Sequence, residues 1–444
     1  MSEPDSNRLL GFWSATAAVV ATMIGAGIFG ATGGFAHDLG NDGLVLLVWL
    51  CCGLLALTGA LSLGKLGTLL PKSGGCYAYN RYLYGDTAGY LSGVLSWLLA
   101  FVGALAYITL LLGHHVEQIF PDIPPVTIAT VVIALLSGLH CFGLREGNWM
   151  NNAFTFFKVG VILAFIIAGF SVPAKAQPNL VIDAGAMFSS PFASAMISAS
   201  FAYLGWETAT WIAGDLRHPQ QTLPRSLIAG TAFVTVLYIL LNVVFLRAQS
   251  ATTMEGAIDG IGLHAAQKLF NGNVGTWFNG MIIAVLLSTT STILMVGSRI
   301  LAAMAKEGQL PAALAKTTLR EAPVNALGIQ ALATIAFVCA ASSHGNADNI
   351  LVLIGMPTTV IMGAAVAGVL ILRQREPETE RPFRVPLYPL PPILFLVLAV
   401  WMLIATIQYK WQATIGSVIL VAAVWALKPL LSKGGKNSYP AEGR

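Results

Sequence analysis

Met23-Ile24-Gly25-Ala26-Gly27-Ile28-Phe29-Gly30 lies in the middle of an apolar run covering residues 10–36. A run of that length crosses a bilayer, which takes about 20 mostly apolar residues. Glycine weakens a helix by about 1 kcal/mol relative to alanine, so two glycines around one alanine mark an easy place to unwind. Unwinding frees C=O groups at the end of the first half-helix and N–H groups at the start of the second. In lipid such groups are tolerated only where they line a cavity. The freed N–H groups and the half-helix dipole suit a carboxylate, and the freed carbonyls suit an ammonium. A second reading stands beside this one: Ala26, Gly30 and Gly34 form a small-xxx-small face for helix packing.

A later run, Ser200-Phe201-Ala202-Tyr203-Leu204-Gly205-Trp206-Glu207-Thr208, has the same ingredients: one glycine, an aromatic before it and an acid after it. A carboxylate at the centre of a span costs about 3 kcal/mol on insertion scales. The start of a second half-helix offsets that cost, and so does a bound proton; alternatively Glu207 only caps the half-helix. Phe201 faces either the break or lipid. Lys158 is a second ionisable group inside a span, about 8–12 Å past the predicted boundary at 1.5 Å per residue. It either snorkels back to the interface or stands as a fixed positive charge. In the second case, freed carbonyls of the first span and hydroxyls of Ser288-Thr289-Thr290-Ser291-Thr292 are available to satisfy it. Those hydroxyls alternatively bond their own helix. His114, His115 and His140 fall near predicted span ends and read as interfacial.

The whole chain fits this setting. Of its 444 residues, 10% are charged and 56% hydrophobic, with a mean hydropathy of +0.74. A soluble domain carries about 25% charged residues, so the solvent for most of this surface is lipid. The net charge of +4 gives no reason to expect nucleic acid. Twelve spans are predicted, near 10–36, 44–63, 88–113, 125–142, 153–172, 190–213, 226–246, 275–297, 326–341, 350–372, 389–407 and 413–431. With the N-terminus inside, 19 of the 24 Lys and Arg fall on the inside and 4 outside, leaving Lys158 within a span. That asymmetry predicts cytoplasmic termini. The first span, retained as a helix, shows no signal-peptide cleavage site. Cys51, Cys52, Cys76, Cys141 and Cys339 have no metal-ligand spacing, so neither a zinc site nor a disulfide framework is expected.

A block with an odd number of helices inverts when repeated. Residues 10–173 (spans 1–5) and 190–373 (spans 6–10) are therefore predicted to be inverted repeats, each beginning with a glycine-interrupted helix. Residues 388–432 add spans 11 and 12. Residues 1–9 and 433–444 are the predicted cytoplasmic tails.

These residues together resemble the amino acid–polyamine–organocation (APC) family, with its LeuT-type 5+5 inverted-repeat fold and broken helices 1 and 6. The likeness rests on MIGAGIF (23–29), PKSGGCYAY (71–79), FAYLGWE (201–207) running on to DLRHPQQTLPRS (215–226), SRILAAMAKEGQLP (298–311) and RPFRVPLYPLPP (381–392). It covers about Phe12 to Pro392, and the last motif looks most like the L-type and cationic amino-acid transporter branch. The resemblance implies that N–H groups of Ala26 and Gly27 hold a substrate carboxylate, with Gly25 allowing the break. It implies that carbonyls of Met23 or Ile24, Phe201 and Leu204 hold the substrate amine, with Ala202 and Gly205 in the same turn, while Phe201 closes over the substrate. The acid matching Glu207 is variable in the family, and a lysine like Lys158 looks like a substitute for a sodium ion in sodium-independent members.

Ala104 and Ile293 stand where arginine–agmatine exchangers supply an amide and a tryptophan, which argues against a guanidinium ligand. The loop 114–124 lacks the cysteine that joins eukaryotic L-type members to a heavy chain, so no disulfide-linked partner is expected. The expected function is sodium-independent transport of neutral, small or aliphatic amino acids by alternating access across the cell (inner) membrane, as an exchanger or with protons. No cofactor and no enzymatic chemistry are expected. A basic amino-acid or polyamine exchanger is the alternative. A channel lacks its rings of charge here, and a membrane enzyme lacks its clustered acids, bases or metal ligands.

Overall fold

The computed structural model describes residues 10–25, 27–142, 144–182, 184–254, 261–270, 274–318, 322–344, 347–376, 382–409 and 411–431. Regular structure among them is helical throughout, apart from an isolated bridge between Leu10 and Leu216. The first predicted span is two helices, α1 (Phe12–Met23) and α2 (Gly27–Leu39), bent by 46° at the break. After it come α3 (Asp42–Leu69), α4 (Gly75–Tyr84), α5 (Asp86–Leu95), α6 (Ala104–Glu117), α7 (Pro125–His140) and α8 (Leu144–Ser171). A π-helical stretch, Ser96–Gly103, fuses α5 and α6 into one long rod. The second half comprises α9 (Ser190–Ala202), α10 (Thr208–Trp211), α11 (Pro219–Ala248), α12 (Ile261–Phe270), α13 (Val274–Lys306), α14 (Val324–His344), α15 (Ala347–Arg375), α16 (Leu390–Tyr409) and α17 (Trp411–Leu431).

Local chemistry sets several of these starts. The Asn41 side chain accepts from the Leu44 N–H and caps α3, while Ser189 accepts from Phe192 N–H and caps α9. Proline stands in the first turn of α7, α9 and α11, where its missing N–H has no intrahelical role.

Eight helices among the described residues are long and apolar enough to cross a membrane, or nine with the bent α1–α2 pair. The other three predicted spans coincide with shorter pieces. They are the 16 residues of α7, the interrupted α9–α10 run, and residues 414–430 within α17.

The helices pack as two groups around α1 and α13. α3 lies along α11, α1 along α11, and α2 along α9; on the other side α13 packs with α6, α7, α8 and α14. The apolar stretch of α13 is 72% buried whereas that of α8 is 28% buried, so α13 is central and α8 peripheral.

The two breaks interlock. A Cβ on Gly27 would lie 2.8 Å from both Cα and Cβ of Ala202, the last residue of α9. A Cβ on Gly205 would lie 2.5 Å from Thr22 Cγ2 and 3.1 Å from its carbonyl carbon. Each break thus uses a glycine to admit the helix end of the other. Gly205 also has φ +103°, a conformation that L side chains rarely adopt. Gly25 differs: a Cβ there would only touch Thr289 Cγ2 at 3.6 Å. Gly205→Ala is therefore expected to destabilise the protein by about 1–3 kcal/mol from backbone strain alone, while Gly25→Ala is tolerated. Thermal melting of both variants in detergent checks this; equal melting temperatures would contradict the interlock.

Candidate functional site

At the first break α1 ends in the ordinary way, with the Ile24 N–H still bonded to Val20 O, and Ile24 then turns extended at φ −76°, ψ 92°. Ala26, between Gly25 and the start of α2, lies outside the described residues. At the second break, α9 ends in tight turns: Tyr203 N donates to Ser200 O (3.1 Å) and Leu204 N to Phe201 O (3.1 Å). Gly205, at positive φ, interrupts the helix, and the single turn of α10 follows Glu207.

The carbonyls freed by the first break have specific partners. Lys158 Nζ on α8 donates to Ala21 O (2.8 Å), Ile24 O (2.8 Å) and Thr289 Oγ1 (3.0 Å). Three acceptors match the three protons of an ammonium. The side chain is 0% exposed, so it does not snorkel to the interface. Thr289 Oγ1 lies 2.7 Å from Ile24 O and 3.0 Å from Val285 O of its own helix, so its one proton is shared between these two carbonyls. Of the two carbonyls considered for an amine, Ile24 O is already engaged by Lys158, whereas Met23 O is not.

Met23 O has a different partner. The hydroxyl of Tyr238, from α11, lies 2.6 Å from Met23 O and 2.9 Å from Ala202 O. One hydroxyl proton cannot serve both carbonyls at once. The last carbonyl of α1 and the last of α9 therefore share one donor, which leaves one of them short of a hydrogen bond. Tyr238 is itself held in an aromatic box by Trp49 (5.3 Å between centroids) and Tyr203 (5.1 Å). Tyr203 donates to Trp49 O (2.8 Å), and Trp49 Nε1 donates to Thr32 of α2 (3.0 Å). This box was not foreseen, since a tyrosine in an apolar span carries no sign of which carbonyls it will reach.

Glu207 is buried, at 3% exposure, immediately after Trp206. Glu207 is the N-cap residue of α10, but its side chain makes no capping hydrogen bond to that helix. Oε2 has no well-aligned hydrogen-bond partner among the described residues, although the Trp211 side chain and the backbone at Gly205 and Glu207 lie close to the carboxyl. Phe201 is half-buried, with its ring edge against Gly355 of α15. Met23, Ile24, Gly25, Gly27, Ala202 and Gly205 converge on the crossing, and Lys158 closes one side of it.

Three of the other quoted motifs, 71–79, 215–226 and 298–311, meet at the Leu10 end of the bundle. Asp215 pairs with Arg299, and Arg81 pairs with Glu307 and with Asp86 (2.7 Å). Leu10 N donates to Asp215 O (3.0 Å), Arg217 N to Leu10 O (2.8 Å), and Gly214 N to Ser73 Oγ (3.0 Å). These contacts close that end beneath the breaks. Of the three histidines read as interfacial, His114 is exposed beside Glu117 and His115 bonds Asn279 (2.6 Å). His140 departs from that reading: it is buried and bonds Ser291 Oγ (2.9 Å), because the short α7 packs against the central α13.

Comparison with known proteins fits this architecture. The family model described as amino acid permease matches residues 10–426. Large neutral amino acids transporter small subunit 2 of Mus musculus is 30% identical over 411 residues, covering 89% of this chain and 75% of the relative. Asc-type amino acid transporter 1 of Mus musculus is 28% identical over 445 residues, covering 95% and 82%. The b(0,+)-type amino acid transporter 1 of Homo sapiens is 26% identical over 429 residues, covering 92% and 86%. The helical bundle with its broken first span fits a LeuT-type fold. This chain belongs to the amino acid permease family and is a multi-pass membrane transporter.

Proposed function

We propose that the chain is a sodium-independent transporter of neutral, small or aliphatic amino acids, working by alternating access around the two interlocked breaks. The observation that carries this reading is the Lys158 ammonium on Ala21 O, Ile24 O and Thr289 Oγ1. It gives the carbonyl end of α1 a tethered cation where a sodium-coupled protein would need a mobile one. The substrate carboxylate sits at the start of α2, against the N–H groups of Ala26 and Gly27, where the half-helix dipole favours negative charge. The amine reaches Met23, Phe201 and Leu204 carbonyls, supplying the donor that Tyr238 cannot give to both helix ends at once. The Leu10 end, with its Asp215–Arg299 and Arg81–Glu307 pairs, is the cytoplasmic side of the cell membrane. Residues 10–173 and 190–373 act as the two inverted repeats, and no heavy chain is joined through 114–124.

A second reading has its own observation. Burying a carboxyl oxygen without a donor is costly, and a proton or a cationic substrate side chain would give Glu207 Oε2 its missing partner. That leaves a basic amino-acid or polyamine exchanger as the alternative within the same family.

Uptake of labelled amino acids into proteoliposomes tests the main reading. Leucine and alanine flux is expected with sodium replaced by choline, and flux of no amino acid under any gradient would sink the proposal. A flux of arginine or putrescine in place of the neutral amino acids would select the second reading. Lys158→Ala strips a buried donor from two carbonyls and a hydroxyl, a loss of about 1–3 kcal/mol, or roughly tenfold or more in rate. Unchanged kinetics would show that the ammonium is dispensable. Glu207→Gln is expected to flatten the pH dependence of uptake between pH 5 and 8 or to change the preference for cationic substrates; a variant identical to wild type in both assays would remove Glu207 from coupling.

A further inference from the structure

Phe201 stands at the last turn of α9, and its ring has a neighbour that the site as described does not use. A Cβ on Gly355 would lie 2.7 Å from the ring's Cζ, 3.1 Å from Cε1 and 3.7 Å from Cε2. The outer edge of the ring therefore rests on bare α15 backbone. A contact of 2.7 Å is impossible for a real Cβ, so any side chain at 355 must push the ring off the helix.

The ring has room to respond. Small cavities of about 20 Å³ and 50 Å³ both include Ser200, Phe201, Gly355, Thr359 and Met402 in their walls. They leave space beside the ring into which it can shift. Pro357 lies two residues along α15 and has no N–H to give to residue 353, so the helix is weakened beside the contact.

We propose that Gly355 is a positioning residue whose missing side chain seats the Phe201 ring, and that this seat sets the space left for the side chain of a transported amino acid. The inference deepens the transport reading and rests on it. The aliphatic preference then depends on a helix that contributes backbone, not a side chain, to the position of the aromatic.

The test is a double-mutant cycle on the full-length protein in proteoliposomes, comparing wild type, Gly355→Ala, Phe201→Leu and the double variant. Leucine lacks Cζ and both Cε atoms, so it removes the atoms that an alanine at 355 would strike. Gly355→Ala is expected to lower the ratio of kcat/KM for leucine to that for alanine by about tenfold, the scale on which one methylene matters in an apolar pocket. In the Phe201→Leu background the same substitution is expected to change that ratio less than about twofold, because the coupling runs through the ring. An unchanged ratio in the single variant, or an equal drop in both backgrounds, would overturn the seat. If Gly355→Ala alone does not survive purification, recovery of folded protein in the double variant supports the contact, and failure to recover overturns it. A wild type that moves no amino acid defeats the transport reading and this inference together, whereas additive effects in an active wild type defeat only the seat.

Discussion

Three hydrogen bonds from one buried ammonium hold the broken end of α1. In hydrocarbon, an orphaned backbone carbonyl has no water to turn to, and leaving it unpaired costs several kcal/mol. Lys158 meets Ala21 O and Ile24 O directly and reaches Thr289, whose hydroxyl is shared between Ile24 O and Val285 O of its own helix. The negative end of the α1 dipole lies against the same charge. This arrangement ties three separated parts of the chain, α1, α8 and α13, to one point. It also leaves the break open because it is partnered, not because it is loose.

The second break is held in a related way but with fewer donors. Tyr238 has one proton for two carbonyls, Met23 O and Ala202 O, which close α1 and α9 respectively. Steric fit joins the same two helices: Gly27 admits Ala202, and Gly205 admits Thr22. Neither break can move far without the other, so a ligand that bonds at one is felt at both. A ligand shifts a conformational equilibrium only through contacts that differ between the states. The shared Tyr238 hydroxyl is one such contact between the two breaks.

Much of this was legible in the residues. Gly25-Ala26-Gly27 and Gly205 signalled the breaks because glycine is a poor helix former and lipid forbids idle irregularity. Lys158 and Glu207 stood out because ionisable groups inside spans need a reason, and the Ser/Thr run at 288–292 did supply a lysine partner in Thr289. Other features were hidden because they depend on how helices meet. Among the glycines at the breaks, Gly27 and Gly205 carry the tight contacts and Gly25 does not, which spacing along one strand of text cannot show. Tyr238 and Gly355 lie in apolar spans with nothing to mark them until α11 and α15 are placed against the breaks. His140 looked interfacial at a span end, but the neighbouring α13 is central and covers it. The quoted motifs at 71–79, 215–226 and 298–311 announced a family, whereas their meeting at the Leu10 end is a fact of packing.

The contrast between the two buried ionisable groups carries the argument about energy. An ion that performs transport work must cross the membrane with the cycle, yet a tethered ammonium ends each cycle on the residue where it began. Lys158 can therefore stabilise the break and bias one conformation over another, but it cannot draw on a sodium gradient. On the proposed sodium-independent reading, the driving force comes from the substrate's own gradient, from a counter-moving substrate, or from a proton that binds and leaves. Under that reading Glu207 is the carboxyl at the breaks suited to the last of these, with Oε2 lacking a well-aligned donor among the described residues. A fixed charge with every bond made and a carboxyl with one bond missing suit opposite tasks: the first keeps the site assembled when it is empty, and the second leaves a vacancy that a moving proton or cation can fill.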